Sequence, residues 1–375
     1  MKAYELLSEL EKKGISVIAG VPDSTLKQFC DGLQTYQSDF RHYIPVNEGA
    51  AVGIAIGSYL ASGKPACVYM QNSGIGNIVN PLTSLANIDV YGIPVLFIVG
   101  WRGEPDVKDE PQHVFQGKIT CKIFDTLEVP YEVIDKNTTV TKMKEILDKA
   151  WSVMETNRQF AIIVKKDTFE TEKEYTWNNS NHLIREQVLG KILQTIPMES
   201  LVISTTGKIS RELYEQSNQL FGNHDSIFMT VGGMGHASMI ALGVAEEKPE
   251  KEIICIDGDG AALMHMGALA FIGARRPCNF THIIINNQSH ESVGAMPTGC
   301  RNADFVELAK AAGYHDAFRI QSYDEIISIR REMEKRQGPV LFEIPVALTS
   351  RKDLCRPKET AAENKRTFME HLINA

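Results

Sequence analysis

Two short polar motifs, each directly after a predicted buried strand, constrain this chain more than any other feature. A Gly-Asp-Gly motif at 258–260 follows the apolar run 252–257, and twenty-five residues later an Asn-Asn pair at 286–287 follows the apolar run 280–285. Residues 261–274 can form one helix between them, so the segment predicts a strand–helix–strand unit with a right-handed crossover. The carboxyl ends of both strands then lie at one edge of a parallel sheet, where the two motifs meet.

The side chains at that edge predict a metal-bound diphosphate as the ligand. Asp259 and Asn287 offer one carboxylate and one carboxamide, which suits Mg²⁺ that keeps positions for phosphate oxygens and water. Gly258 and Gly260 let the backbone come close, and a helix that begins at Ala261 directs free N–H groups at phosphates. Either motif alone is usually an ordinary turn, but the two together at this spacing are specific.

Composition and charge limit the remaining possibilities. The 375 residues suffice for two domains, and 43% apolar with 23% charged residues is typical of a soluble globular protein. The net charge of −8, without a long basic stripe, argues against a nucleic-acid partner. Seven cysteines without a C-x-x-C pair are expected to be reduced core thiols. With no signal peptide and no membrane-spanning apolar run, a cytoplasmic protein without a membrane partner is expected.

Strand and helix signals alternate in both halves of the chain, which predicts an α/β fold with two doubly wound parallel sheets. The strand candidates lie at 16–21, 42–46, 66–70, 94–99, 131–134, 160–164, 201–204, 227–231, 252–257, 280–285, 317–320 and 340–344. The later helices are predicted at 304–312 and 323–337. We place a first domain at 1–168, a linker at 169–181, a second domain at 182–350 and a charged C-terminal tail, helical or loose, at 351–375.

The two motifs match the thiamine-diphosphate signature, and the chain resembles the thiamine-diphosphate-dependent 2-oxoacid decarboxylases. The resemblance implies thiamine diphosphate and Mg²⁺ as cofactors, with Asp259, the Asn287 side chain and the main-chain carbonyl of Ser289 as metal ligands. It also implies a pyrimidine-binding domain followed by a diphosphate-binding domain. The linker is too short to hold the central third domain of larger relatives.

Several residues match the cofactor-binding segments of that family. Glu48 would lie beside N1′ of the pyrimidine and favour the imino tautomer that removes the C2 proton; taken alone, it would be an acid favoured by a helix dipole. By resemblance, the Gly232 carbonyl accepts from the 4′-amino group and Met234 wedges between the two rings, although a Met after glycines is ordinarily core filler. Further cofactor contacts are expected at Gly258, Gly260, Ala261 and Ala262.

Asp23 and His113 are candidates for proton transfer after carbon dioxide leaves. Related decarboxylases place an Asp after the first strand and a His-containing loop near the reacting carbon, and such a pair suits proton transfer near pH 7. The alternatives are an N-cap of a helix over 25–33 and a surface histidine. Gln112 stands where pyruvate decarboxylases have a second histidine, and Val293 roughly where they have a glutamate, so the proton donor stays open.

The segments 101–118, 205–208 and 290–294 resemble the phosphonopyruvate decarboxylases, and the sulfopyruvate decarboxylases share much of this similarity. Both substrates are pyruvates with an anionic tetrahedral head, so additional cations are needed. The resemblance implies decarboxylation of 3-phosphonopyruvate to phosphonoacetaldehyde, in phosphonate biosynthesis. Candidate substrate contacts are Arg102, Gln112, Lys208 and His290, with Lys118 and Arg211 as further cations.

Three alternatives stay open: the same chemistry on sulfopyruvate, an acetolactate-synthase-like carboligation, and a catalytically silent cofactor-binding protein. An aldehyde product would exclude carboligation, and intact Glu48, Asp259 and Asn287 argue against a silent protein. Family members build the site from the first domain of one chain and the second domain of another. A homo-oligomer, at least a dimer, with active sites at the subunit interface is therefore expected.

Overall fold

The structure is a computed structural model that describes residues 1–170 and 173–374, so Thr171 and Glu172 of the predicted linker and Ala375 of the predicted tail lie outside the described residues. The described chain forms two compact units. The first comprises the described residues from Met1 to Trp177 together with His290–Gly299, and the second comprises Asn178–Ser289 and the described residues from Cys300 onward. The predicted domain boundaries at 168 and 182 remain predictions.

The first unit is built on six parallel strands in the order β2-β1-β3-β4-β6-β5. Its strands are β1 (Val17–Gly20), β2 (Arg41–Tyr43), β3 (Ala66–Gln71), β4 (Val95–Gly100), β5 (Tyr131–Ile134) and β6 (Phe160–Val164), and its helices are α1 (Ala3–Lys12), α2 (Lys27–Thr35), α3 (Glu48–Ser62), α4 (Ile75–Pro81), α5 (Pro111–Thr126) and α6 (Val140–Met154). A 3₁₀ turn (Asn72–Gly74) precedes α4, and a π-helical turn (Leu82–Ala86) follows it.

Helices cover both faces of this sheet because its strands are apolar on both sides. One core joins α1, α2 and α6 to strand residues such as Ile18 and Leu96. The other joins α3, α4 and α5 to the alternate strand residues, such as Val17 and Phe97. Met296 of the segment His290–Gly299 is fully buried in the first of these cores, which explains why that segment belongs to this unit.

The second unit is also a six-stranded parallel sheet, in the order β13-β14-β10-β9-β7-β8. Its main elements are α7 (Arg185–Thr195), β7 (Leu201–Ser204), α8 (Lys208–Phe221), β8 (Ile227–Met229), α9 (Ala237–Glu247), β9 (Ile253–Gly258), α10 (Asp259–Met264), α11 (Gly267–Arg275), β10 (Phe280–Asn286), α12 (Phe305–Ala311), β13 (Asp316–Arg319), α13 (Ile327–Met333), β14 (Val340–Pro345) and α14 (Ala361–Asn374). Two short strands, β11 (Ser289–His290) and β12 (Met296–Pro297), pair separately.

The predicted α/β class with two doubly wound parallel sheets is confirmed, and the strand positions differ from the predicted runs by a few residues at most. The single helix predicted over 261–274 is wrong, because α10 and α11 are separate. His265 leaves helical geometry, with φ −130° and ψ 49°, where the backbone of Gly235 packs so closely that a methyl group there would lie 2.7 Å from the imidazole Cδ2.

Two further helix predictions are corrected. The helix predicted over 323–337 is a 3₁₀ turn (Asp324–Ile326) followed by the shorter α13. The helix predicted over 25–33 begins only at Lys27, because the carboxylate of Asp23 already accepts the backbone N–H groups of Thr25 and Leu26.

The cysteine prediction holds only in part. All seven cysteines are free thiols, but only Cys30, Cys67 and Cys255 are buried, whereas Cys278 and Cys355 are exposed. Among the described helices, none combines the length and apolar character needed to cross a membrane.

Candidate active site

In the second unit, the two motifs leave the sheet side by side. Strands β9 and β10 are direct neighbours, with Gly258 paired to Ile285, so the residues that follow each strand emerge at the same edge. The side chains of Asp259 and Asn287 are both buried, with 4% and 6% of their surface exposed. The structure therefore gathers one carboxylate and one carboxamide at the predicted edge.

Two side-chain turns fix the backbone after β10. The carbonyl oxygen of the Asn287 side chain accepts the N–H of Ser289 at 3.0 Å, and that of Asn286 accepts the N–H of Gln288 at 3.1 Å. Asn286 in turn donates to Glu343 at 2.7 Å. Gln288 adopts a φ of 58°, the left-handed conformation that such Asn-led turns support. The loop that carries the predicted metal ligands Asn287 and Ser289 is thus held by its own side chains.

Asn179 is a contributor that the sequence reasoning missed. Its side-chain amide donates to the main-chain carbonyls of Asn287 at 2.9 Å and of Val346 at 3.0 Å. It lies in the stretch interpreted as a linker, and a lone Asn in a polar stretch carries no signal of this role. Its two bonds tie the predicted metal-ligand loop to the residues after β14.

Helix α10 begins within the Gly-Asp-Gly motif, at Asp259, and its first turn continues with the small residues Gly260, Ala261 and Ala262. The loop that contains Gly232 and Met234 packs against this helix. Gly235 has a φ of 87°, and a methyl group there would lie 3.0 Å from the Ala261 carbonyl oxygen. The close contact requires glycine and brings two predicted cofactor-binding segments together.

Lys208, the predicted cation of this unit, is the first residue of α8 and follows Gly207, whose φ is 99°. Its ammonium group donates to the Ser350 hydroxyl at 2.7 Å and is half-buried. Arg211 lies one helical turn later and is also half-buried, and loss of water contact lowers the pKa of its guanidinium. Two cations therefore share one face at the start of α8.

In the first unit, Glu48 is the first residue of α3, and the Asn47 side chain caps this helix by accepting the N–H of Ala50 at 2.9 Å. The buried carboxylate of Glu48 accepts a hydrogen bond from the Asn77 amide at 2.6 Å. Burial raises the pKa of Glu48, and the Asn77 hydrogen bond opposes that rise. Asn77 was not predicted; it is the last residue of a Gly-x-Gly-Asn sequence, 74–77, that the sequence reasoning passed over.

Asp23 follows β1 and is fully buried. One carboxylate oxygen accepts the N–H groups of Thr25 at 3.0 Å and Leu26 at 3.2 Å, whereas the other has no hydrogen-bond partner among the described residues. Burial raises the pKa of Asp23 to about 6, against the opposing charge of Arg102. Such a carboxyl group exchanges a proton near neutral pH.

Arg102, predicted as a substrate contact, makes hydrogen bonds to other residues of the first unit. Its guanidinium donates to both carboxylate oxygens of Asp109, at 2.8 and 2.5 Å, and to the Ser24 hydroxyl at 2.8 Å. The Asn72 side chain accepts its backbone N–H at 3.1 Å. The bidentate pair with Asp109 fixes the loop that leads to α5.

The remaining predicted residues of the first unit are histidines and one glutamine. Gln112 and His113 are half-buried in the first turn of α5, and burial lowers the pKa of His113 to about 4. His290, in the segment assigned to this unit, is partly accessible, yet loss of water contact also lowers its pKa to about 4. Both imidazoles are therefore neutral at pH 7, and each can accept or donate a proton at one nitrogen.

Comparisons with family models and with individual proteins relate this chain to the same group of enzymes. Residues 1–126 match the model for the N-terminal thiamine pyrophosphate-binding domain of thiamine pyrophosphate enzymes, and residues 207–344 match the model for the C-terminal one. The chain is 31% identical to the phosphonopyruvate decarboxylases of Streptomyces hygroscopicus and Streptomyces viridochromogenes, over 99% and 98% of this chain and 94% of each relative.

A relative with lower sequence identity is the sulfopyruvate decarboxylase of Methanosarcina acetivorans. It is 25% identical over 88% of this chain and 87% of its own length. The two matched domains together with the full-length similarity to two decarboxylases establish that the chain belongs to the thiamine pyrophosphate enzymes, in the family of the phosphonopyruvate decarboxylases.

Proposed function

We propose that this protein decarboxylates 3-phosphonopyruvate to phosphonoacetaldehyde and carbon dioxide, as a step of phosphonate biosynthesis, with thiamine diphosphate and Mg²⁺ as cofactors. The observation that carries the proposal is the similarity to phosphonopyruvate decarboxylases over 99% of the chain. The site residues in both units support it, because the proposed acid and metal-ligand side chains Glu48, Asp23, Asp259 and Asn287 are all present and buried.

The donors at the edge of the second sheet fit Mg²⁺ and a diphosphate. Asp259, the Asn287 side chain and the Ser289 carbonyl would provide hard oxygen ligands of low total charge, which leave positions for phosphate oxygens. Gly258, Gly260, Ala261 and Ala262 would let the diphosphate approach the backbone N–H groups at the start of α10.

When bound, thiamine diphosphate supplies a nucleophilic carbon and a cationic ring that accepts the electrons of the departing carboxylate. The protein's task is to hold and move protons around that carbon. Glu48 would share a proton with N1′ of the pyrimidine, since burial raises its pKa towards the working pH. Gly232 and Met234 would support the bent shape of the cofactor.

Asp23 and His113 would deliver the proton that replaces the lost carboxylate. Asp23, with a pKa of about 6, can hold a proton in a fraction of molecules near neutral pH, and the neutral His113 can pass one on. In this proposal, a buried carboxyl group and an imidazole of the first unit share the transfer of the proton.

The anionic head of the substrate requires cations. We propose Lys208 and Arg102, with Gln112 and His290, as the substrate contacts. Lys208 is the stronger cation candidate, because Arg102 already makes a bidentate pair with Asp109. Sulfopyruvate is the second candidate substrate, since the sulfopyruvate decarboxylase of Methanosarcina acetivorans also aligns over most of the chain.

The test is a direct comparison of both oxoacids with Mg²⁺ and thiamine diphosphate, in which carbon dioxide release and trapped aldehyde are measured together. Phosphonopyruvate should be used with a kcat/KM at least about tenfold above that of sulfopyruvate, because the sulfonate carries less charge for the cations to bind. A preference for sulfopyruvate, or a 2-hydroxyketone product, would overturn the proposed substrate or reaction.

We also propose that the protein is a cytoplasmic homo-oligomer, at least a dimer, in which one active site combines the first unit of one chain with the second unit of another. Each unit holds only part of the required groups: Glu48 and Asp23 lie in the first, and Asp259 and Asn287 in the second. Mixing of inactive Glu48→Gln chains with inactive Asp259→Ala chains tests this arrangement, because only a site shared between chains can recover activity.

A further inference from the structure

The Glu48 carboxylate is clamped within the first unit by two residues that lie next to each other in the fold. Asn77 of α4 donates its side-chain N–H to Oε2 at 2.6 Å. Gly74, directly before α4, lies against the other oxygen, because a methyl group there would come within 2.4 Å of Oε1 and 2.6 Å of Cδ. Gly49 adds a third close contact, since a methyl group there would lie 2.9 Å from the Asn77 carbonyl oxygen.

From this geometry we infer that Asn77 is the positioning residue that fixes the Glu48 carboxylate and sets its proton state. The inference rests on the proposed role of Glu48 in the reaction. The Asn77 carboxamide does not ionise near neutral pH, so we assign its contribution to its hydrogen bond with Glu48.

Among the groups that shift the pKa of Glu48, Asn77 is the side chain that a substitution can remove. Burial raises the pKa of Glu48, while the Asn77 hydrogen bond and the backbone of Glu48 itself lower it. No charged side chain of the described residues contributes to this balance. An amide donor stabilises the ionised carboxylate, and it also fixes which oxygen stays available for a partner.

Asn77 could act on Glu48 by its hydrogen bond or only by its packing. An isosteric substitution separates these two roles, because it keeps the packing and removes the donor. Asn77→Asp keeps the shape but replaces the donor by a second carboxylate, whereas Asn77→Ala removes both shape and donor. Asn80→Asp is the matched control, because Asn80 lies on the same helix, is exposed, and its side chain accepts the Ser84 hydroxyl at 3.0 Å. This variant adds the same charge and keeps the Asn77 hydrogen bond to Glu48.

The first measurement needs no catalysis. The Glu48 carboxyl carbon is titrated by ¹³C NMR in the full-length, cofactor-free protein, and Glu48→Gln identifies its signal. The pKa of Glu48 should rise in Asn77→Ala and rise further in Asn77→Asp, but stay unchanged in Asn80→Asp. An unchanged pKa in both Asn77 variants would overturn the inference. Asn77→Ser, which keeps a hydroxyl donor, replaces Asn77→Ala if that variant does not fold.

The second measurement is C2 proton exchange of bound thiamine diphosphate. Asn77→Ala should slow it about tenfold or more, because a hydrogen bond to a charged group is lost. Asn77→Asp should be slow near neutral pH and recover as the pH falls, when the introduced carboxyl group becomes protonated and can donate. A rate equal to that of the parent at all pH values would refute a positioning role.

The two measurements also separate this inference from the proposed function. If the pKa of Glu48 shifts as expected but Glu48→Gln leaves C2 exchange unchanged, positioning by Asn77 stands and the role of Glu48 in the reaction fails. If Glu48→Gln abolishes exchange while both Asn77 variants behave like the parent, the role of Glu48 in the reaction stands and positioning by Asn77 fails.

Discussion

The two units share one strand order, and we propose that the polar residues beyond the carboxyl ends of their strands serve different chemistry. Numbered within each unit, both sheets run 2-1-3-4-6-5. In the first unit, the polar residues beyond the strands bond to one another, as in the pairs of Arg102 with Asp109 and of Asn77 with Glu48. In the second unit, Asp259 is the first residue of α10, directly after Gly258, and the Asn287 side chain accepts the backbone N–H of Ser289 in a local turn.

This difference shows what each chemistry requires of the same scaffold. Proton transfer needs a carboxyl group whose pKa is shifted by burial and whose orientation is fixed. Burial raises the pKa of Glu48 and of Asp23 in the first unit, and we propose these two groups for that task. Anchoring of a metal diphosphate needs oxygen donors and backbone N–H groups, and we propose that Asp259 and Asn287 of the second unit supply the oxygen donors.

The largest expected effect breaks the anchor in the second unit. Asp259→Ala should abolish activity because Mg²⁺ loses its only proposed carboxylate ligand. Calorimetry should detect no binding of thiamine diphosphate with Mg²⁺, while circular dichroism shows an intact fold. Glu307→Ala, which removes an exposed carboxylate of the same unit, should bind like the parent. Parent-like affinity in Asp259→Ala would exclude Asp259 as a ligand.

The corresponding change in the first unit should leave the anchor intact. Glu48→Gln should bind the cofactor with nearly parental affinity but slow C2 proton exchange by about a hundred- to ten-thousand-fold, since the amide cannot share a proton with N1′. Exchange is measured by NMR after acid quench. An unchanged exchange rate would remove Glu48 from the mechanism and with it the contrast between the units.

A third prediction concerns pH and stability. The folded-state pKa of Asp23 is about 6, above its ordinary value of 3.8, so Asp23 stabilises the fold below about pH 4 and this contribution is lost as the pH rises through 6. Relative to Asp23→Asn, the parent's free energy of unfolding should fall by up to about 3 kcal/mol between pH 4 and 7.

Urea unfolding at a series of pH values measures this difference. Asp39→Asn, an exposed carboxylate of the same unit, is the control and should show no comparable pH dependence relative to the parent. Parallel pH curves for the parent and Asp23→Asn would contradict the raised pKa.

The smallest expected effect concerns a structural support of the anchor. Asn179→Ala should lower the free energy of unfolding by about 1–3 kcal/mol, because the Asn287 carbonyl loses the Asn179 donor and the Val346 carbonyl keeps only the Asn181 amide. Its Mg²⁺ affinity should also fall. Ser180→Ala, which changes an exposed neighbour, is the control. Equal stability and metal affinity in both variants would show that Asn179 does not support the Asn287 loop.

The sequence predicted those parts of the fold that depend on local pattern. Apolar runs located the strands, and the motif spacing placed Asp259 and Asn287 at neighbouring strand ends, as the register of Gly258 with Ile285 shows. The break at His265 was missed because it depends on the close approach of Gly235, a contact between segments distant in sequence.

Candidate site residues could be predicted where they belong to a local sequence motif. They could not be predicted where their role is a hydrogen bond to a residue distant in the sequence. Glu48 was identified from its segment, but its donor Asn77 is twenty-nine positions away, and nothing in a single sequence links the two. Asn179 and Asp109 were missed for the same reason: their roles consist of hydrogen bonds to residues that only the fold brings near.

Subunit mixing shows whether the two units perform separate tasks in one active site built from two chains. Glu48→Gln chains and Asp259→Ala chains are each expected to be inactive. Mixed under conditions of subunit exchange, they should regain up to about a quarter of the parental activity on phosphonopyruvate, because random pairing gives one intact site in half of the dimers. No recovery despite demonstrated exchange would contradict the claim.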